Sequence, residues 1–365
     1  MCWTPGRRLH NNSHSVSTVP FSANWPGTQR LNMLHRALII AAAITASLPG
    51  QAHAADCQDG EIRIRFSHVT NTEKNPKGIA AELLKKRVNR EMDGKACMEV
   101  FPNSELYDDN DVLEALLQGD VQLAAPSLSK FETFTKAFRL FDLPFVFKDI
   151  AAVDRYQASP EGKALLDSMQ RKGLQGLAYW HNGMKQFSAD RPLLSPADFK
   201  GLKFRIQPST VLDAQFRALG ATPQRMAFSE AYDALARNII NGQENTWSNI
   251  YSQRFHDVQD GFTESNHGII DYLVVTSTNW WSSLPADTRA QFSDILRDVT
   301  VESNAASTAI NQETRQLIIQ SGSPVRALTI SQRAAWVEAM KPVWRQFEND
   351  IGRDTIAQIT DLSEP

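Results

Sequence analysis

From residue 62 onward, short runs of period two alternate with longer runs of period 3.6, which restricts the chain to helices packed on parallel or mixed sheets. Ile62, Ile64 and Phe66 alternate with Arg63 and Arg65 as in a strand, and Ile79, Leu83, Leu84, Val88 and Met92 then recur at helical spacing up to Asp93-Gly94. A second strand is predicted over 97–101, a helix over 111–118 with Glu114 placed for a capping box, and a third strand over 121–125. This βαβαβ opening implies a parallel sheet. The grammar returns in strands over 174–179 and 202–206, a helix over 229–237 and a strand over 239–244. The segment Glu114-Ala-Leu-Leu-Gln-Gly119 compares with Asp233-Ala-Leu-Ala-Arg-Asn238, both ending on residues that tolerate the left-handed conformation. The fold class expected is therefore α/β, with two similar lobes.

Later in the chain, the apolar, β-branched run 269–276 reads as a strand that could cross between lobes. Pro285 then opens a helix to about Ser321, with Phe292, Ile295, Leu296, Val299, Ala306, Ala309, Ile310 and Leu317 on one face. At ~1.5 Å per residue it approaches ~50 Å, long enough to brace both lobes. Trp336, Met340, Trp344 and Phe347 mark a closing helix.

The N-terminus reads as an address rather than as structure. Arg36, the apolar run 37–48, Pro49-Gly50 and Ala52-His53-Ala54 follow the order of a secretory signal, and cleavage is expected after Ala54. The run is shorter than the ~20 residues a bilayer requires. Residues 1–32 lack periodicity, so either the leader is unusually long or translation starts at Met33; residues 1–54 stay outside the fold argument. No second long apolar segment follows, and the mature chain is expected to be a soluble protein of two domains in the periplasm. Cys57 and Cys97 are the one pair left in a chain bound for an oxidising compartment; they form a disulfide between neighbouring strand entrances or remain two buried thiols.

Charge and motif content narrow the function classes. The balance of 38 basic against 41 acidic residues carries no polyanion footprint, so nucleic acid is not an expected partner. There is no phosphate-binding loop, no Gly-x-Ser-x-Gly elbow, no His-Glu-x-x-His and no clustered Cys/His spacing; no enzyme, cofactor or metal is expected. A two-lobed α/β protein instead offers a cleft at the lobe boundary for a small ligand.

In that setting several segments resemble the DctP-type solute-binding proteins of TRAP (tripartite ATP-independent periplasmic) transporters, across essentially the whole mature chain. They are Phe66-Ser-His-Val69, Phe101-Pro-Asn-Ser104, Gly119-Asp-Val-Gln-Leu123, Phe141-Asp-Leu-Pro-Phe145, 178–186 (AYWHNGMKQ), 201–207 (GLKFRIQ), 226–230 (MAFSE) and 241–252 (NGQENTWSNIYS). The resemblance implies a two-lobed periplasmic-binding-protein-like fold, lobe I being 55–182 with 271–310 and lobe II being 183–270 with 311–365. It also implies delivery of an organic-acid anion to small and large membrane permease subunits driven by an ion gradient. The wording of 178–186 and 243–252 is closest to the C4-dicarboxylate branch (malate, succinate, fumarate). A uronate, sialic acid, keto acid or aromatic acid is the alternative ligand, and a ligand-sensing role the alternative use.

Site residues follow from the same resemblance. Arg205 occupies the position of the arginine that grips the ligand carboxylate, for which a planar guanidinium fork is suited. Asn245 matches the asparagine that bonds the carboxylate or an adjacent hydroxyl, and Phe228 the aromatic that packs over the ligand. Lys185 lies where many relatives outside the dicarboxylate branch carry a second arginine. Trp180, Asn182, Trp247 and Asn249 are expected to line the pocket, and His68, Ser127 and Lys130 to meet the distal carboxylate from lobe I.

Overall fold

The structure is a computed structural model that describes residues 57–362; the expected cut after Ala54 and the choice between Met1 and Met33 lie outside the described residues. The strands run β1 (Ile62–Ser67), β2 (Ala96–Phe101), β3 (Leu123–Ala124), β4 (Leu174–Met184), β5 (Gln186–Ala189), β6 (Lys203–Ile206), β7 (Thr222–Arg225), β8 (Gly242–Asn245), β9 (Gly261–Glu264), β10 (Ile269–Ser277) and β11 (Val325–Ala327). They form two sheets, one per lobe, in the orders β2-β1-β3-β10-β4 and β11-β9-β5-β8-β6-β7.

The expected parallel βαβαβ opening is present: β1 pairs in parallel with both β2 and β3. In the second sheet β6 pairs in parallel with β7 and β8. The short sequence repeat marks equivalent places in the two lobes. Helix Val112–Gln118 ends on Gly119 at φ 83°, helix Ala231–Ala236 is followed by Asn238 at φ 55°, and each precedes the third strand of its parallel set. Gly119 pays no Cβ penalty in that left-handed conformation. The expected capping box at Glu114 does not form: Asp108 Oδ1 accepts from the backbone N–H of Asn110 and Asp111, and Glu114 accepts from Gln118 instead.

Neither sheet is purely parallel, for a topological reason. The chain leaves the first sheet along β4, passes through Lys185 alone, and enters the second as β5; it returns from β9 through residues 265–268 into β10. Out and back paths lie side by side, so β10 is antiparallel to β4 along nearly its whole length. The run 269–276 is therefore not itself the crossing. It is an interior strand, every residue of which is buried, with Leu273 and Val275 in one apolar cluster and Ile270, Tyr272 and Val274 in another.

Helix Ala286–Gln320 makes a third link. Phe292, Ile295, Leu296 and Val299 pack in the core of the first lobe, whereas Ile318 packs in that of the second and Arg315 forms a two-pronged pair with Glu264 at 2.7–2.8 Å. Its middle departs from the apolar stripe, since Ala306 and Ala309 are exposed while Ser303, Ser307 and Thr314 are buried. Here the helix lies on polar backbone rather than on side chains: Asn304 Nδ2 donates to Tyr179 O and Asn311 Nδ2 to Asn182 O. In the closing helix Ile330–Ile351, Trp336, Met340 and Phe347 are buried, and Trp344 donates its indole N–H to Pro144 O.

Cys57 and Cys97 form a disulfide, which joins the lead-in of β1 to β2 across 40 residues of sequence. A loop of that length corresponds to a chain-entropy contribution of about 4 kcal/mol. Replacing both cysteines by serine is expected to lower unfolding stability by about 2–4 kcal/mol, read as a lower urea midpoint with a steeper slope, because the freed denatured chain exposes more surface; equal midpoints for both proteins would remove the disulfide from the stability argument.

Candidate ligand site

Between the lobes lies a cavity with about 330 Å³ of non-atom space, its mouth included. Period two places Arg205 there: Phe204 and Ile206 point into the aromatic core with Phe199 and Phe216, so Arg205 and Gln207 face the opposite way.

Arg205 is 3% exposed. Its Nε and Nη2 both donate to Met226 O, at 3.1 and 3.0 Å, and it has no ion-pair partner among the described residues. Burial pushes the guanidinium down to about 10, with the more distant Glu244, Asp109 and Glu230 pulling it back. The Phe228 ring lies 5.8 Å away, steadied edge-on by Phe255. Asn245, at the end of β8, accepts through Oδ1 from Asn249 Nδ2 (2.7 Å) and from Thr246 N, which leaves its own amide N–H groups without a partner among the described residues. Asn249 is set by the short helix Trp247–Ser252, whose cap Thr246 accepts from the Asn249 backbone.

Lobe I supplies the opposite wall. Ser127 Oγ donates to Gln207 Oε1 at 2.6 Å, a contact across the lobes. Lys130 donates to Asn110 Oδ1 and is pushed down to about 8 by burial. The structure thus brings Arg205, Asn245, Phe228, Asn249, Ser127 and Lys130 around one cavity. Sequence reasoning missed Thr70, Asp109, Gln207 and Tyr272 in the same wall. Gln207 was findable, two residues along the strand from Arg205, and Tyr272 stands out as a polar-tipped ring within an apolar run. Nothing in the Asp108-Asp109-Asn110-Asp111 turn singles out Asp109.

Five expected residues are placed elsewhere, each for a physical reason. Lys185 is 1% exposed and its ammonium donates to Glu244 Oε1 at 2.6 Å; Glu244 Oε2 meets His267 Nε2 at 2.7 Å. Burial alone would raise the Glu244 carboxyl, but Lys185 and His267 hold it at about 2. The Lys185 charge is thereby used inside the crossing between sheets. Trp180 packs on Phe66 in the first-lobe core and donates to Thr300 Oγ1. Trp247 lies behind the site between Phe262 and Arg315. Asn182 stands one residue back, donating to the Tyr272 hydroxyl at 2.8 Å and accepting from Ser248 Oγ. His68 is buried edge-on to Phe66 and held near 3, first by burial and then by Lys77, so it is neutral.

The model of the DctP family, described as bacterial extracellular solute-binding protein, family 7, matches residues 66–350. The chain belongs to this family. Among DctP relatives, the C4-dicarboxylate-binding periplasmic protein DctP of Vibrio cholerae is 63% identical over 318 residues, 87% of this chain and 96% of that protein. A TRAP periplasmic solute-binding protein of Shewanella oneidensis, solved with bound succinate, superposes with a TM-score of 0.82 at 48% identity, over 83% of this chain and 100% of that one. One from Pseudomonas aeruginosa, with bound L-malate, gives 0.76 at 44% identity over 78% and 99%.

Three buried histidines contribute to the pH response of this DctP-family fold. His181 sits between Asp271 (2.8 Å) and Asp154 (2.5 Å), and although burial lowers its pKa, the two carboxylates raise it to about 10. A raised value contributes stability in full below the unfolded ~6.5 and loses it as pH climbs toward about 10. His267 and His68, lowered to about 4 and about 3, contribute above the unfolded ~6.5 and lose it as pH falls. Glu244 adds to the same acid limb as pH falls toward about 2. Melting temperature is expected to peak near pH ~6.5, and His181→Gln to flatten the alkaline limb alone; an unchanged alkaline decline in that variant would assign it to other groups.

Proposed function

We propose that the chain is the periplasmic solute-binding component of a TRAP secondary transporter, which captures a C4-dicarboxylate such as succinate, malate or fumarate and hands it to membrane permease subunits. The observation that carries this reading is Arg205, a buried guanidinium that faces the cavity and forms no ion pair among the described residues. An uncompensated buried charge is destabilising by several kcal/mol, and an incoming carboxylate that takes both prongs of the fork relieves it. The free Asn245 amide beside it suits the same carboxylate or a neighbouring 2-hydroxyl. Ligands of relatives this similar point the same way.

The role is capture and release of an unchanged molecule, without a chemical step. Lobe I is assigned to 55–182 with 271–310 and lobe II to 183–270 with 311–365. The two crossings, at Lys185 and at 265–268, support that division as the hinge. Ligand bound between the lobes stabilises the closed arrangement by its differential affinity for it.

Calorimetric titration of the secreted protein with succinate, malate, fumarate, galacturonate and sialic acid tests the reading. Arg205→Ala is expected to weaken dicarboxylate binding by about 2–5 kcal/mol, from roughly thirtyfold to several thousandfold, while the empty protein melts no lower than before. Binding of a sugar acid in preference to every C4-dicarboxylate would overturn the ligand, and undiminished binding in Arg205→Ala would overturn the site.

A further inference from the structure

The mechanism of capture leaves one charged group unexplained. Lys77, the second residue of helix Pro76–Glu91, has no exposed surface at all, a rare state for lysine. Its Nζ donates to Ala125 O at 3.1 Å and lies 3.9 Å from the centroid of the Tyr272 ring. Burial pushes its ammonium down and Asp109 pulls it back from a distance, with no carboxylate within ion-pair reach among the described residues. One carbonyl and one ring face are incomplete solvation for a buried ammonium.

The position is built, not incidental. Asn75 caps the helix, its Oδ1 accepting from the backbone N–H of Lys77 and Gly78, and its Nδ2 reaches across the lobes to Asn249 Oδ1 at 2.7 Å. A Cβ on Gly78 would stand 1.8 Å from Asn71 O, so the helix start is pressed against the preceding loop with no room to withdraw. Tyr272, whose ring Lys77 touches, lines the cavity with its hydroxyl held by Asn182 and Asn249.

Charge around the cavity can then be counted. Of the charged residues that line the cavity Arg205 and Lys130 are positive and Asp109 is negative; Lys77, behind the Tyr272 ring of its wall, adds one further positive charge, and Glu244 is taken up by Lys185. Two positive charges remain when the lobes are closed and empty. We propose that Lys77 is a specificity-determining residue: packed against the Tyr272 ring and paired with no carboxylate, it supplies the second unmatched charge that makes the closed cavity select a dianion over a monoanion of the same shape. The inference rests on the dicarboxylate reading and adds the residue that enforces it. Without Lys77 a single unmatched charge remains, which a monoanion satisfies.

The test compares succinate with succinamate, its near-isosteric monoanion, by calorimetric titration at a pH where every carboxyl is ionised. Lys77→Gln removes the charge and keeps a donor for Ala125 O; Lys77→Met removes both and serves if the glutamine variant does not fold. In either variant the succinate-to-succinamate affinity ratio is expected to fall at least tenfold, with the empty protein melting at or above its original temperature. A ratio equal to that of the unsubstituted protein, or equal weakening of both ligands with a lower melting temperature, would reduce Lys77 to a packing residue and overturn the inference. The unsubstituted protein decides independently of any variant. Equal affinity for the two ligands overturns dianion selection while sparing the carboxylate site, whereas no binding of either overturns the dicarboxylate reading and this inference together.

Discussion

The contact between Lys185, Glu244 and His267 is the constraint on which the site depends. It is buried where β4 passes into β5 and the return path enters β10, with the Lys185 backbone bonded to both Gly268 and His267. Because Glu244 is spent on Lys185 and His267, Arg205 on the neighbouring strand feels that carboxylate without pairing to it. A pair broken inside such a region costs about 3–5 kcal/mol, far more than an exposed one, so the crossing is held in register while the guanidinium stays open to a ligand. The lysine that looked like a ligand contact is the reason the arginine can be one.

Around the cavity the lobes are bridged by specific polar contacts, in addition to the apolar core in which Phe145 packs against His267 and Trp336. Ser127 bonds Gln207, Asn75 bonds Asn249, and Asn71 Nδ2 donates to Ser252 O. Hydrogen bonds of this kind contribute about 1 kcal/mol each, which is modest against the electrostatic cost of closing an empty cationic cavity. An anion changes that balance by removing the cost rather than by adding much area. The long helix limits the motion available, since its two ends are committed to different cores while its middle is bonded to β4 through Asn304 and Asn311.

Legibility in the sequence followed the range of the interactions. Strand and helix placement, the repeat ending on Gly119 and Asn238, and the turning of Arg205 away from the face of Phe204 and Ile206 are properties of residues close in the chain. The errors have the opposite character. Trp180 and Trp247 are pocket-type residues by composition and core by placement, because the faces of β4 and of helix Trp247–Ser252 are assigned by what packs on them. Ala306 and Ala309 marked an apolar stripe, yet the helix turned Ser303 and Ser307 inward to lie on strand backbone.

By itself, then, the sequence determined the α/β class, the two parallel units, the cysteine pair and the family whose arginine, asparagine and phenylalanine converge on one cleft, since each is written in local periodicity or in contiguous motifs. Only the tertiary structure decided which cations are neutralised. Lys185 is matched by a glutamate 59 residues away, while Arg205 and Lys77 are matched by none among the described residues, and ion pairing is a property of distances that chain order does not contain.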